Sequence, residues 1–285
     1  MVMPPVTIKK EIVDQILKIT KDVAIALHIK GLMNLQLAVK DDQIYMIEAN
    51  PRASRTVPFI SKATGIQMAK IATKIMLGKT LKDFGLTGYK QLDHYAVKEV
   101  VFPFLKLPGV DCILTPEMKS TGEVMGIDED FYAACYKAQV AAGCNYPIES
   151  GGVYITVNDN DKEKILPSAK ALDELGFTIY ATRGTAKYLI DNGVPAATVY
   201  KVSEGTAPNA VSLMREGRIQ MIINTPTQKS GAIRDGAAMR RLAVELQIPI
   251  ITTIQGAEMT VGAIKVARHG KTGVRSITEF HRLVN

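Results

Sequence analysis

The sequence contains no tryptophan, 6% aromatic residues, three cysteines and four histidines. Cys112, Cys135 and Cys144 form no CxxC pair and the histidines lack metal-ligand spacing, so a zinc site is not indicated. The odd cysteine count favours reduced thiols. There is no apolar run long enough to cross a bilayer and no apolar signal core near Met1, so we expect a cytoplasmic protein without a membrane partner.

Runs of five or six lysines or arginines are also absent, although the formal net charge is +7 and the pI is about 9.2. The positive net charge suits an anionic ligand, whereas the scattering of the basic residues gives no support to nucleic-acid binding. A chain of 285 residues with 47% hydrophobic content is long enough for two medium domains. A helical pattern ends near Cys144 and linker composition follows, which predicts domains at 1–144 and 145–285.

The stretch YMIEANPRASRT combines an apolar run with a carboxylate, an amide and two guanidinium groups. Its β-branched and aromatic content predicts a strand, and LMNLQLAV upstream predicts a second strand. We expect a hairpin in which Gln36, Glu48 and Asn50 share one face. Because a slip of one residue reverses the face, this arrangement requires an odd loop, which we place at residues 41–43.

These three side chains offer oxygen ligands of the kind that Mg²⁺ or Mn²⁺ shares with substrate phosphates. Arg52 and Arg55 follow directly and are suited to phosphate oxygens. The pattern therefore indicates half of a metal–nucleotide site. A strand end with a solvated glutamate and surface arginines fits the same residues, and the pattern alone leaves both interpretations open.

From residue 151 onward, short apolar runs alternate with helical segments. The runs are VYITV, FTIYA, ATVYKV, IQMIINT and PIIT. Buried strands that alternate with helices predict right-handed βαβ units and a parallel sheet. Ligands of such sheets bind outside the carboxyl ends of the strands.

Those strand ends carry hydroxyl, amide and ammonium groups. The segment TRGT is predicted to leave a strand through a tight glycine turn and to open a helix whose free N–H groups attract a phosphate. Each residue alone also fits a cap or a turn, but four loops converge on one edge. The candidate anion ligands are Thr156, Lys162, Thr182, Gly184, Thr185, Lys201, Asn224, Thr225 and Thr227.

The hairpin, followed by YAVKEVVFPF, LPGVD and PEMKSTGEVMG, closely resembles the end of the second ATP-grasp unit of the carbamoyl-phosphate synthetase large subunit. The continuation DKEKILPSAKALDELGFTIYATRGTAKYLIDNGV resembles the methylglyoxal-synthase-like regulatory domain that follows in that subunit. The resemblance extends over essentially all 285 residues. It implies an α/β chain with a partial ATP-grasp lobe, built on an antiparallel sheet, and a parallel Rossmann-like domain.

The resemblance also assigns roles. Gln36, Glu48 and Asn50 fall on the family's metal ligands. The cofactors of the complete enzyme would be Mg²⁺ or Mn²⁺ with ATP. Arg52 and Arg55 fall on the arginines that contact the ATP and carbamate phosphates in the family. The strand-end residues fall on positions that hold UMP or IMP as allosteric effector. Glu99 matches an acidic ornithine contact, but Ile250-Ile251-Thr252 replaces the Tyr-Asp-Thr of ornithine-responsive members, which puts that response in doubt.

Only 35 residues precede Gln36, so the opposing ATP-grasp lobe is not in this sequence. The resemblance therefore implies a ligase section that is inactive alone. Its partners would be the remainder of the large subunit and the glutamine amidotransferase small subunit, with self-association through the regulatory domain left open. The alternatives are a subunit of a split synthetase, a free-standing methylglyoxal synthase, which needs catalytic aspartates that the TRGT turn lacks, and IMP cyclohydrolase, whose GRVKTLHP-type string is missing.

Overall fold

The computed structural model describes residues 1–104, 117–225, 230–270 and 272–282, and within 230–235 it describes the backbone alone. Contacts divide the chain into two compact units. The first unit comprises Met1–Ala96 with Val274–Asn285, and the second comprises Val97–Gly273. The predicted boundary after residue 144 lies inside the second unit and stays a prediction about the family's domains.

The described elements are as follows in chain order. The first are β1 (Val2–Met3), α1 (Lys10–Ala26), β2 (Asn34–Lys40), β3 (Gln43–Asn50), α2 (Val57–Thr64), α3 (Met68–Met76), β4 (Tyr95–Val101), β5 (Gly122–Asp128) and α4 (Phe131–Ala141). They continue with β6 (Gly152–Thr156), α5 (Lys162–Glu174), β7 (Thr178–Thr182), α6 (Arg183–Asp191), β8 (Ala197–Val199), α7 (Ala210–Arg215), β9 (Met221–Asn224), α8 (Ser230–Glu245), β10 (Ile250–Ile251), α9 (Ile254–Arg268) and α10 (Ile277–Arg282).

In the first unit, α10 returns to pack against α2. The imidazole of His281 lies 2.7 Å from the carbonyl oxygen of Lys62 through Nε2. The buried His94 places Nε2 2.9 Å from the carbonyl oxygen of Ala63 and meets the Phe280 ring edge-on at 5.4 Å. Phe280 is buried, so the C-terminal helix completes a small core around α2.

The second unit is built on a five-stranded sheet in the order β10-β9-β6-β7-β8, and its neighbouring strands are parallel. Apolar side chains cover both faces, as expected for strands with nearly continuous hydrophobic sequence. The predicted α/β class, with an antiparallel hairpin before a parallel sheet, is confirmed. Among the described helices, none combines the length and apolar character that a membrane crossing requires.

Helix α4 lies between β5 and α9 in the second unit. Asp130 begins this helix, because its carboxylate accepts a hydrogen bond from the backbone N–H of Ala133 at 2.9 Å. Further along, the buried Gln139 donates through Nε2 to Thr260 Oγ1 of α9 at 3.1 Å. These contacts anchor α4 to the helix that covers one face of the parallel sheet.

Candidate functional site

The hairpin of β2 and β3 brings the predicted metal ligands to one face. Gln36 lies directly opposite Glu48, and Asn34 lies opposite Asn50. Since cross-strand partners in an antiparallel pair point to the same side, Gln36 and Glu48 share a face as predicted. Asn50, two residues beyond Glu48, shares it as well.

The loop that sets this register differs from the expectation. Lys40 pairs with Gln43, so the loop holds two residues, Asp41 and Asp42, and the predicted three-residue loop is wrong. Both aspartates have the positive φ angles, 52° and 60°, that a type I′ turn requires. Such a loop alone would place Gln36 opposite Ile47.

A β-bulge brings Gln36 opposite Glu48 despite the two-residue loop. The register shifts between Gln36 and Leu37, so that Leu37 faces Met46 while Gln36 faces Glu48. Ile47 is the additional residue of the bulged strand, and it stays exposed. The bulge therefore aims the carboxylate of Glu48 at the face of Gln36, which the even loop alone would not do.

The two faces of the hairpin differ in chemistry. The face that carries Glu48 is mostly polar, with Asn34, Gln36, Ala38, Lys40, Gln43, Tyr45 and Asn50. The opposite face is apolar, with Leu35, Leu37, Val39, Ile44, Met46 and Ala49. Met46 and Val39 are exposed on that side. One face of the hairpin is thus suited to a charged ligand and the other to packing against further protein.

Glu48, Asn50 and Arg52 form a connected polar group. Asn50 donates through Nδ2 to Glu48 Oε1 at 2.7 Å, and Arg52 donates through Nη2 to Asn50 Oδ1 at 3.4 Å. Arg52 also donates through Nη1 to the carbonyl oxygen of Ala53 at 2.9 Å. The predicted approach of Arg52 to this face is therefore present, whereas Arg55 lies three residues further along the segment that precedes α2.

The donor set fits a hard cation only in part. Among the described residues, no three histidine, cysteine or acidic side chains are grouped to hold a metal ion. One carboxylate and two amide oxygens suit Mg²⁺ or Mn²⁺ when phosphate oxygens supply the remaining ligands. Asn50 would turn its amide so that Oδ1 leaves Arg52 and faces the ion, which frees Arg52 for a phosphate.

The strand-end candidates of the second unit meet at one edge of the parallel sheet. Thr156 is in register with Asn224 on one side, and its Oγ1 lies 3.4 Å from Oγ1 of Thr182 on the other. Thr182 is in register with Val199, so Lys201 follows just beyond the same edge. Three adjacent strands therefore present hydroxyl and amide groups side by side.

Lys162 begins α5 beside the N-terminus of α6. A methyl group at Gly184 would lie 3.6 Å from Nζ of Lys162, an ordinary contact distance, so the ammonium group lies close to the start of α6. Gly184 is the second residue of α6 and has no left-handed φ, so the predicted tight glycine turn is wrong. The helix begins directly at Arg183, with Thr182 at its N-cap.

An acidic neighbour already engages Lys162. Its Nζ lies 2.8 Å from Oδ1 of Asp159, and the lysine side chain is 22% exposed. An incoming phosphate would compete with this carboxylate for the ammonium group. The sequence pattern contains Asp159 but does not show this competition, because it depends on how the turn at Asp159–Asp161 enters α5.

Two threonine candidates are more enclosed than a ligand-binding role suggests. Thr185 is 2% exposed within α6. Thr225 is also buried, and its Oγ1 accepts from the backbone N–H of Asn158 at 3.0 Å and from its Nδ2 at 3.1 Å. Asn158 was not among the predicted site residues, and its position just before an acidic turn was the available signal for this contact. Thr227 lies outside the described residues.

Glu99 lies on β4, and its charge contributes to the electrostatics of the segment that follows α4. Burial raises the pKa of the Cys144 thiol, a hydrogen bond with Tyr146 lowers it, and the negative charge of Glu99 raises it further. Burial is also the largest cause of the raised pKa of Tyr146, to which the charge of Glu99 makes the smallest contribution.

Two family models match the chain. Residues 1–84 match the carbamoyl-phosphate synthase L chain, ATP binding domain. Residues 164–252 match the MGS-like domain. The first match includes the hairpin, and the second includes β7, β8 and β9 of the parallel sheet. The sequence resemblance is thus supported in both units.

Two curated relatives align over almost the entire chain. The carbamoyl phosphate synthase large chain, C-terminal section, of Methanocaldococcus jannaschii is 52% identical over 289 residues, covering 98% of this chain and 46% of that protein. The carbamoyl phosphate synthase large chain of Methanosarcina barkeri is 45% identical over 282 residues, covering 99% of this chain and 70% of that protein. This chain therefore spans about half the length of the first relative.

Among solved structures, the methylglyoxal synthase from Elizabethkingia anophelis is similar over 41% of this chain and 79% of its own, with 20% identity and a TM-score of 0.35. The assignment of this chain to a family rests on the sequence matches and not on this structural similarity. With the hairpin inside one matched segment, four of the five strands of the parallel sheet inside the other, and a relative aligned over 70% of its length, the chain belongs to the carbamoyl phosphate synthase large chain family.

Proposed function

We propose that this chain is the C-terminal part of a glutamine-hydrolysing carbamoyl phosphate synthase, an ATP-dependent ligase of the cytoplasm that supplies pyrimidine and arginine biosynthesis. In this proposal the hairpin supplies metal and phosphate ligands for carbamate phosphorylation. The edge of the parallel sheet binds a nucleotide effector of the UMP or IMP type. Family membership supports the general assignment, and the residues described above support the two sites.

The observation that carries the catalytic half is the bulged register of the hairpin. A strand end that bound no ligand would need no bulge to bring Gln36 opposite Glu48. A bound Mg²⁺ or Mn²⁺ would neutralise phosphate charge during transfer. Glu48 would hold the ion with the oxygens of Gln36 and Asn50, while Arg52 and Arg55 would orient the phosphate oxygens and stabilise their charge.

The apolar face of the hairpin supports a partner from the same enzyme. Six residues of that face alternate with the polar ligands, and Met46 is 48% exposed. Since relatives extend well beyond this segment, we propose that one part of the remaining large chain packs on this face, while another part closes the ATP site on the polar face. The glutamine amidotransferase small subunit and self-association of the regulatory domain belong to the same proposal.

The chain alone is expected to turn over no ATP, because an open hairpin neither encloses the nucleotide nor excludes water. Addition of the remaining part of the large chain should produce Mg²⁺-dependent ADP release, measured by a coupled assay. In that mixture Glu48→Gln should lower the rate by at least about tenfold, since it removes the carboxylate ligand.

Asp41→Asn is the matched control for Glu48→Gln. It also removes one carboxylate from the hairpin, and asparagine tolerates the positive φ of the turn. Its rate should equal that of the unchanged chain. ATP turnover by the isolated chain that is abolished by Glu48→Gln would contradict the proposal that the site is incomplete.

The regulatory half rests on the junction of Lys162 with the start of α6. The ammonium group lies beside Gly184, where the first N–H groups of a helix carry partial positive charge. Thr156 and Thr182 place two hydroxyls at the same edge, within 3.4 Å of each other. An ammonium group, helix amides and hydroxyls together form the recognition chemistry of a phosphate.

UMP or IMP is expected to bind the isolated chain, and Lys162→Ala should weaken binding by about 1.5 to 3 kcal/mol, the range for a charge-assisted hydrogen bond. Asp159→Asn should instead tighten binding a few-fold, because it removes the carboxylate that competes with the phosphate for Lys162. Isothermal titration calorimetry measures both changes.

Lys187→Ala provides the control, because Lys187 lies on α6 but pairs with Asp191 at 2.8 Å. Its affinity for either nucleotide should be unchanged. No heat with UMP or IMP from the folded chain would contradict the effector site. Equal losses in Lys162→Ala and Lys187→Ala would show that the effect reflects net charge alone.

A further inference from the structure

A groove of about 760 Å³ lies in the first unit, between α3 and the loop that follows it. Its walls come from one continuous part of the chain, between Gly65 and Lys90. None of these residues belongs to the hairpin ligands or to the sheet edge. We call this feature the lysine groove.

The charge of the lysine groove has one sign. Lys70 and Lys74 are one turn apart on α3, and Lys90 joins them from the loop, whereas the lining contains no acidic residue. In the described part of the chain, no carboxylate lies within 4.0 Å of any of the three ammonium groups. Like charges at this spacing on a helix are mildly destabilising.

Two less exposed lysines outside the groove have acidic partners. Lys98 pairs with Glu123 at 2.7 Å, and Lys137 pairs with Asp128 at 2.6 Å. Three lysines that line one concavity without a carboxylate concentrate positive potential and favour an anion.

Aromatic rings add a second recognition element. Phe84 is half-buried in the groove, and Nζ of Lys74 lies 5.7 Å from its ring centroid. Tyr89, which also lines the groove, is exposed. Methyl groups at Gly85 and Gly88 would meet no atom within 4 Å apart from their chain neighbours, so the space around both glycines is open. A flat ring can stack in this space while lysines hold a charged group.

We propose that the lysine groove binds a small organic polyanion that carries a flat ring, of the class of nucleoside diphosphates and triphosphates. Its volume falls within the range of about 300 to 1,000 Å³ that is typical of small-molecule sites. The proposal goes beyond the function proposed above, because it concerns residues that neither the hairpin site nor the effector site uses.

Calorimetry of the full chain with ADP, pyrophosphate and adenosine tests the proposal. ADP is expected to bind more tightly than pyrophosphate, and adenosine is expected to bind least, since it lacks the charge. The double variant Lys70→Gln/Lys74→Gln should weaken ADP binding by about tenfold or more, as expected when charged hydrogen bonds are lost. Lys79→Gln, an exposed lysine just outside the lining, should not change it.

A groove-filling variant separates binding from folding. Gly88 has open space around it and no left-handed φ, so Gly88→Glu can be accommodated while it places a carboxylate among the lysines. ADP binding should be lost in this variant. The melting temperatures of the lysine variants should not fall, because removal of repelling charges does not disrupt the core.

Two further variants locate the bound ADP. Arg52→Gln at the hairpin and Lys162→Ala at the sheet edge remove the other two proposed phosphate contacts, so the loss of ADP binding caused by Gly88→Glu should be the same in the background of either variant. Loss of ADP binding in either variant, with affinity retained in Gly88→Glu, would place the nucleotide at one of the other sites and overturn the proposal. Absence of binding at about millimolar ADP would also overturn it, and pyrophosphate binding as tight as ADP would overturn the aromatic part.

Discussion

Gly126→Ala is expected to lower the free energy of unfolding of the second unit by more than about 3 kcal/mol, at the upper end of effects for overpacked sites. A methyl group at this position would lie 2.0 Å from the carbonyl oxygen of Ala134 and 2.4 Å from the backbone nitrogen of Ala138. Both atoms belong to the backbone of α4, so the helix would have to move away from β5. The change should be visible in urea denaturation followed by circular dichroism.

Gly122→Ala on the same strand is the matched control. A methyl group there would meet no atom within 4 Å. Its stability should stay within about 0.5 kcal/mol of the unchanged chain. If both alanine variants unfolded at the same urea concentration, the close packing of α4 on β5 would not hold.

Arg268→Ala is expected to cost about 2 to 4 kcal/mol of stability, because one guanidinium group serves three backbone carbonyls. Nε donates to Ile148 at 3.1 Å, Nη1 donates to Leu175 at 2.7 Å and Nη2 donates to Glu149. The guanidinium carbon also lies 5.8 Å from the ring centroid of Phe177. Removal of the side chain leaves these carbonyls without their donor and frees the linker that precedes β6.

Arg268→Lys separates charge from geometry. Lysine retains the positive charge near Phe177, but a single ammonium group cannot reproduce a planar fork that reaches three carbonyls. Its stability should therefore lie between those of the alanine variant and the unchanged chain, as measured by thermal unfolding. Full stability in Arg268→Ala would show that the linker is held by other contacts.

The parallel sheet could be predicted from the sequence because its strands are buried on both faces. Runs such as VYITV and IQMIINT are apolar at nearly every position, and each is followed by a helical period. The polar character of the sheet edge could also be predicted from the sequence. Parallel strands bring Thr156, Thr182 and Asn224 to one edge, whatever the conformation of the loops. Local pattern is sufficient where burial alone decides the structure.

The details of both candidate sites depended on contacts between segments distant in sequence. The pattern around Glu48 predicted that Gln36 and Glu48 share a face. Only the paired strands showed that the loop holds two residues and that a bulge at Ile47 brings the two side chains to the same face. The TRGT segment looked like a glycine turn, yet Gly184 lies inside α6, close to the ammonium group of Lys162.

The sequence by itself therefore determined the class of each unit and the residue types at the two sites, because hydrophobic period and side-chain chemistry are local properties. The tertiary structure decided which of these residues meet. Thr225 holds Asn158 across the sheet edge, Asp159 occupies Lys162, and α10 completes the core around α2 from the far end of the chain. Such contacts depend on the distance between segments after folding, and no local pattern encodes that distance.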